Sequence, residues 1–405
     1  MASIRPFRAI CPNPFYADQL VFTKPQTESV AGDLTKENAL KPVKTLLETG
    51  ARLRPETFEG QQAAYREICD TLLGLLENGQ LWQEETAGIY VYEVVHKTYR
   101  QTGIWALTAL EDVTNGAIKI HELTFADSVR RLQRYRENTA IEGSPILLAY
   151  PPCLTVNRII AVTKTIQPKI ALGNQNGIHK LWKIEAGETQ QQLMEAFAAI
   201  PDVYLSDGHH RLESAVQLAA AQKEKGQPVY DQITSLYMAT DQLRIQEFHR
   251  VIIPDQLIDQ DLLFKQLNKS FFIQESRNPV RPAEQHRMGM CLYGQWYHLL
   301  AKAHTYAGKR ISDGIDAAIL QEEVLAPFFG ISDPKTDPRL KCSGGEKAME
   351  EVGAIFQSHP GAIAFTLSPL TVEQLIAVAD AGEVMPPKST WTDPKVPYGL
   401  LLHKH

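Results

Sequence analysis

Asp207-Gly208-His209-His210-Arg211 sets a carboxylate, a glycine, two imidazoles and a guanidinium in consecutive positions. The apolar run Val203-Tyr204-Leu205 comes just before them, and afterwards Leu212, Ala215, Val216 and Ala219 recur at i, i+3, i+4 and i+7. This pattern predicts a buried strand that runs into an amphipathic helix, with Asp207 as N-cap and Gly226 and Pro228 as the stop. Cations in a first helical turn oppose the positive end of the helix dipole by about 0.3–1 kcal/mol each, so an anion there relieves a conflict. A phosphate held by first-turn N–H groups, with Gly208 allowing close approach to the backbone, is the chemistry such a turn supports. The bland alternative is a capped helix in which Arg211 pairs with Glu213 or another carboxylate and the histidines merely pack. Zinc fits poorly, because adjacent residues point about 100° apart on a helix and neither CxxC nor HExxH accompanies the histidines.

A second polar turn is Lys119-Ile120-His121-Glu122-Leu123-Thr124, at the end of a strand over 118–120. Thr124 with Asp127 fits a capping-box variant for the helix that follows, over 125–136. Glu122 then sits at a strand-to-helix turn, where a carboxylate can act as general base and contribute about 10²–10⁴ in rate. A surface glutamate favoured by the helix dipole is the competing reading. Arg130, Arg131, Arg134 and Arg136 follow; Arg130 and Arg134 share a face at i,i+4, either to meet a phosphate or as a solvated stripe.

The elements that must carry these turns alternate without a strict βαβ repeat, which predicts an α+β architecture. Region 1–84 holds a polar, turn-rich lead and a helix over 59–78. Region 85–275 forms the core: an antiparallel pair over 88–96 and 102–110, strands over 146–150 and 159–163, a helix over 189–198, the strand and helix around Asp207, and strands over 235–239 and 243–253. The segment 276–287, with Asn278-Pro279 and Arg281-Pro282, reads as a linker to a C-terminal α/β region, 276–405. That region has a hairpin over 288–301, helices over 314–329 and 346–359 and a strand over 362–367. With 405 residues there is room for two or three full cores. The net charge of −6 argues against nucleic acid as the main partner. Five scattered cysteines, Cys11, Cys69, Cys153, Cys291 and Cys342, suit a reducing compartment better than a disulfide framework. No leader-like segment and no apolar run of about 18 residues is present, so the expectation is a cytoplasmic protein with no membrane partner.

Four motifs then occur in order: Lys119 to Thr124, His179-Lys180-Leu181-Trp182, Tyr204 to Arg211, and Met385-Pro386-Pro387-Lys388-Ser389-Thr390. Together with the opening Arg5-Pro6-Phe7-Arg8 they closely resemble the conserved domain-of-unknown-function family 1015. One departure is the family's early Pro-Pro-Tyr-Asp segment, which has no clear counterpart before Lys36. The resemblance implies a mixed-sheet ParB/sulfiredoxin-like core with N-terminal helical and C-terminal α/β regions. The sulfiredoxin cysteine position is His209 here, so thiol chemistry is not implied. The chromosome-partition branch shares Gly208, Arg211 and Ala215, but this chain is acidic and shows no helix-turn-helix. Free-serine kinases carry a similar Asp-Gly-His-His-Arg turn and an upstream glutamate. By that resemblance Glu122, Asp207 and His210 are catalytic, with Glu122 taking a hydroxyl proton and Asp207 helping to hold Mg²⁺. Gly208, His209, His210, Arg211 and Lys388 would bind the phosphates of ATP or ADP, joined on its helix-face spacing by Arg130, and His121 and His179 would line the substrate cleft. His179 and Trp182 packing an interface, with a solvated Lys388, is the bland alternative; His249 and Arg250 are weaker candidates.

Three functions follow as expectations. The first is an Mg²⁺-dependent small-molecule kinase that acts on a hydroxylated metabolite such as free L-serine. The second is a nucleotide-binding regulatory or interaction protein without group transfer. The third is a metal-assisted nucleotide or nucleic-acid hydrolase.

Overall fold

A computed structural model describes residues 3–21, 43, 58–174, 177–334 and 336–405, and the chain divides into two compact units. The first comprises 1–119, 124–243 and 394–405; the second comprises 120–123 and 244–393. Part of the polar N-terminal lead lies outside the described residues.

The first unit is built on a nine-stranded mixed sheet. Its strands are β1 (Ile4–Arg5), β2 (Ile89–Val95), β3 (Arg100–Ala109), β4 (Ile118–Lys119), β5 (Ile146–Tyr150), β6 (Ile170–Asn174), β7 (Gly177–Ile184), β8 (Val203–Asp207) and β9 (Gln232–Ala239). Their order is β4-β8-β5-β9-β3-β2-β7-β6, with β1 added antiparallel on β3. The β8–β4 and β9–β5 pairs are parallel and the others antiparallel. The mixed order bears out the α+β expectation. Strand β5 is buried throughout, as an apolar Ile-Leu-Leu-Ala-Tyr run in the middle of a covered sheet must be. Tyr150 and Tyr237 meet Phe197 of the Glu188–Ala198 helix edge-on, with centroids 5.0 Å apart in both pairs. Such pairs add about 0.5–1.5 kcal/mol beyond their burial.

Several sequence expectations change here. Ile159 to Thr163, expected as a strand, ends the helix Leu154–Thr163. Its β-branched residues mimic a strand, but the buried Val156 and Ile159 are three apart, which is helical spacing. The core contains two strands that the sequence reading missed, β6 and β7. Residues 394–405 and the Ile4–Arg5 strand belong with this first unit, so its limits differ from the 85–275 division.

The second unit contains a six-stranded antiparallel sheet. Its strands are β10 (Phe248–Ile252), β11 (Phe271–Ser276), β12 (Arg287–Leu292), β13 (Gln295–Ala301), β14 (Leu340–Gly344) and β15 (Ile363–Thr366), in the order β11-β13-β12-β15-β10-β14. The expected hairpin is β12–β13. Its turn residues Tyr293 and Gly294 both have positive φ, as a two-residue primed turn requires. The expected linker is instead a loop inside this sheet: Val280 is buried and its carbonyl accepts a hydrogen bond from Thr366 Oγ1 at 2.7 Å. The expected strand over 243–253 is split into Arg244–Gln246, which pairs with Trp391–Asp393, and β10. Among the described residues no helix is long and apolar enough to cross a membrane.

Candidate functional site

Strand β8 is buried up to Ser206, and its register against β5 slips between Leu205 and Asp207. Such a bulge bends the strand end and re-aims the side chain that follows. Gly208 comes next in the left-handed region (φ 98°, ψ 25°) and is the N-cap of the helix His209–Glu224. A Cβ there would come within 2.8 Å of Arg211 Nη2 and 2.9 Å of Ile146 Cγ2, so both the backbone and the space demand glycine. Leu212, Ala215 and Leu218 bury the helix face that the sequence pattern marks.

Asp207, expected as the N-cap, does not cap. No side chain caps this helix. Asp207 Oδ2 instead accepts from Arg211 Nη2 at 2.6 Å, and Oδ1 accepts from Lys395 Nζ at 2.8 Å. Burial alone would raise its carboxyl, but Arg211 and Lys395 outweigh that and hold it well below the usual carboxylate range. Arg211 therefore pairs with Asp207 rather than Glu213, whose Oε1 accepts from Gln217 Nε2. The side chains of Asp207, Arg211 and Lys395 are 36%, 32% and 46% exposed, so the cluster reaches solvent. Two cations around one carboxylate leave a net positive charge in front of an uncapped helix start, and both features favour an anion. The same arrangement does not fit the magnesium that the serine-kinase resemblance implies. A divalent ion seeks carboxylate and water oxygens, whereas both oxygens of Asp207 already face cations.

The two histidines have different surroundings. Burial pushes His209 down to about 4 against a smaller opposing pull from Asp207, so its imidazole is neutral at pH 7. His210 Nε2 accepts the Phe125 N–H at 3.1 Å, and its ring lies 4.9 Å from that of Phe125. The Thr124–Asp127 capping box is not formed. Phe125 is the N-cap of the helix Ala126–Thr139, without a side-chain cap, and His210 takes its backbone N–H. His210 thus fixes one helix start against another.

Glu122 belongs to the second unit, in the short segment Ile120–Leu123. It bridges Met385 in parallel register, and Met385 N donates to His121 O at 2.8 Å. Its Oε1 accepts the Lys388 N–H at 3.4 Å. The Met385 to Lys388 motif therefore forms the backbone seat of Glu122, with Lys388 contributing its amide. His121 is fully buried beside it.

Two candidates have structural partners instead of a place at the helix mouth. His179 is buried on β7, accepts or donates through Nδ1 with Tyr92 OH at 2.8 Å and stacks on that ring; burial lowers it to about 4. Strand β7 is five positions from β8 in the sheet order, and Trp182 Nε1 donates to Ile166 O. Arg130 is exposed and pairs with Asp127 at 2.6 Å, the solvated-stripe reading. Sequence reasoning missed Lys395. Its only sequence signal is its position just beyond the Met385–Thr390 motif, and no periodicity marks it.

The family described as "Protein of unknown function (DUF1015)" matches residues 4–319. Among solved structures, a free serine kinase variant in complex with ADP is 12% identical, covers 74% of this chain and 91% of its own, and has a TM-score of 0.40. SbnI with a C-terminal truncation, from Staphylococcus aureus, is 13% identical, with 72% and 84% covered and a TM-score of 0.39. A conserved hypothetical protein from Pyrococcus furiosus is 13% identical, with 73% and 93% covered and a TM-score of 0.36. No curated protein matches.

Proposed function

The chain belongs to the DUF1015 family of proteins of unknown function, and from the chemistry of its own residues we propose that it is a small-molecule kinase that moves a phosphoryl group from a nucleotide to a hydroxylated metabolite. The observation that carries this reading is the uncapped helix start behind Gly208, fronted by Arg211 and Lys395 on Asp207. Phosphoryl transfer asks a protein mainly for positioning and charge stabilisation, and no covalent nucleophile is needed.

Arg211 and Lys395 take the donor phosphates in front of the helix start, and Gly208 leaves the room that Arg211 occupies there. Asp207 holds Arg211 and Lys395 apart at fixed positions. The acceptor hydroxyl gives up its proton to a base as its oxygen attacks the terminal phosphorus; the bond to the nucleotide's bridging oxygen breaks, and the departing charge is balanced by Arg211 and Lys395. The motif resemblance is what proposes Glu122 as that base. Magnesium enters this scheme as part of the Mg–nucleotide donor. Free L-serine is the first acceptor to test, as the motif resemblance suggests.

Glu122→Gln keeps the size and hydrogen-bonding of the side chain and removes its basicity. Turnover of Mg–ATP or Mg–ADP with L-serine and other hydroxylated acceptors is expected to fall by about 10²–10⁴, with donor affinity by calorimetry unchanged. Full turnover in this variant removes Glu122 from the base role. Donor binding by the wild-type protein with no product from any acceptor favours the regulatory reading.

A further inference from the structure

Arg250 is a buried cation with an unusual set of partners. It lies on β10 at 4% exposure, and its guanidinium donates to the carbonyls of Phe248 (3.0 Å), His249 (3.5 Å), Pro387 (3.3 Å) and Lys388 (2.9 Å). Its charge centre lies 5.4 Å from the centroid of the Phe248 ring. All its hydrogen-bond partners among the described residues are main-chain carbonyls. Burying a cation among dipoles, with no carboxylate, costs stability that an apolar side chain would avoid. What the planar fork supplies is geometry, because it ties β10 to the turn at 387–388 through donors in fixed directions.

That turn is strained at the residue the fork holds. Lys388 has φ 63°, a left-handed conformation that costs a non-glycine residue about 1–3 kcal/mol and persists only where surroundings over-determine it. Both carbonyls flanking its Cα are bonded to Arg250 Nη2. In a trans peptide the C=O and N–H point in opposite directions. Drawing Pro387 C=O toward Arg250 therefore aims the Lys388 N–H away from it, and Glu122 Oε1 receives that N–H. The rest of the turn is pinned independently. Ser389 Oγ donates to Pro386 O at 2.6 Å, Met385 bridges Glu122, and Trp391 pairs with Gln246.

We propose that Arg250 is a positioning residue for Glu122, acting through the Pro387–Lys388 peptide, whose carbonyl it holds and whose N–H orients the Glu122 carboxylate. Its catalytic consequence rests on the kinase reading, in which Glu122 is the base.

Arg250→Lys keeps the charge without the fork, and Arg250→Met removes both. Hydrogen–deuterium exchange on the full chain is expected to show faster exchange at 385–390 and 120–123 in both variants, less in Arg250→Lys, with strand 287–292 still protected. In turnover with Mg–ATP and L-serine, Arg250→Lys is expected to lower kcat about ten- to a hundredfold, the loss that misplacing a reacting group by about 1 Å brings, with the donor KM within about twofold. In the Glu122→Gln background it should cost nothing further. Unchanged exchange at 385–390 and 120–123 in a folded variant overturns the proposal, as does a kcat loss of the same size in the Glu122→Gln background. The kinase reading fails in a different way. If Glu122→Gln keeps full turnover while exchange responds as expected, the base assignment falls, and with it Arg250's part in catalysis.

Discussion

Gly208 and Lys395 decide what the helix start can hold. Gly208→Ala places a Cβ in a left-handed backbone against Arg211 and Ile146. A loss of about 1–3 kcal/mol in urea denaturation is expected from the backbone alone, with weaker nucleotide binding because Arg211 must shift. Lys395→Met leaves Asp207 paired with Arg211 and removes one of two cations from the helix mouth. A charge-assisted contact contributes about 1.5–3 kcal/mol, so nucleotide affinity by calorimetry should fall about tenfold to a hundredfold. An unchanged affinity would take Lys395 out of the phosphate site. The Asp207 to Arg211 stretch was legible in the sequence because its polar residues are contiguous and sit where a strand signal gives way to a helix signal. The partners were not legible. Which side chain meets Asp207 is decided by a contact 188 positions along the chain, and local pattern cannot register it. His210 illustrates the same limit: its neighbours in sequence suggest an anion, while its ring nitrogen holds the Phe125 amide.

Elements position these groups through polar contacts that the core has closed over. The helix Ala126–Thr139 is tied to the short strand Ile141–Glu142 by Arg136, which pairs with Glu142. Glu142 also accepts from Thr234 N at 2.7 Å and contacts His405 Nε2 at 2.8 Å. Burial alone would raise its carboxyl, but Arg136, then His405 and His403, outweigh that and keep it ionised well below the usual range. Removing one partner of such a pair strands a buried charge. Arg136→Met is expected to cost about 3–5 kcal/mol in denaturant unfolding, and adding Glu142→Gln should recover part of it. No recovery would mean that the pair is not coupled. Most elements were legible from periodicity and turn residues, including the β12–β13 hairpin and the helix after Gly208. Failures occurred where two rules conflict. The β-branched run ending at Thr163 has strand propensity but helical burial spacing, and the proline-rich 276–287 segment has linker composition but packs Val280 into the sheet.

At the scale of the whole molecule, pH is the lever that the buried histidines set. His179, His209 and His403 are each lowered to about 4, first of all by burial. Unfolded, each titrates near about 6.5. Between those values the unfolded chain binds more protons than the folded one, so stability present above about pH 6.5 is lost as pH falls toward 4. Each histidine should account for about 2 kcal/mol at pH 5 relative to pH 7.5. Urea midpoints at the two pH values check this, and His179→Gln should remove about a third of the difference; a midpoint that does not move contradicts it. The division into units was the least legible feature, because the second unit takes residues 120–123 from within the first unit's stretch of chain. Group transfer is tested by one experiment. The purified protein is incubated with Mg²⁺, a panel of ATP, ADP and pyrophosphate and a pool of hydroxylated metabolites including L-serine, and products are read by mass spectrometry beside Glu122→Gln and Asp207→Asn. The kinase account predicts a new phosphomonoester that is strongly reduced in both variants. Donor binding without any phosphorylated product, or a product formed equally by Glu122→Gln, would contradict it.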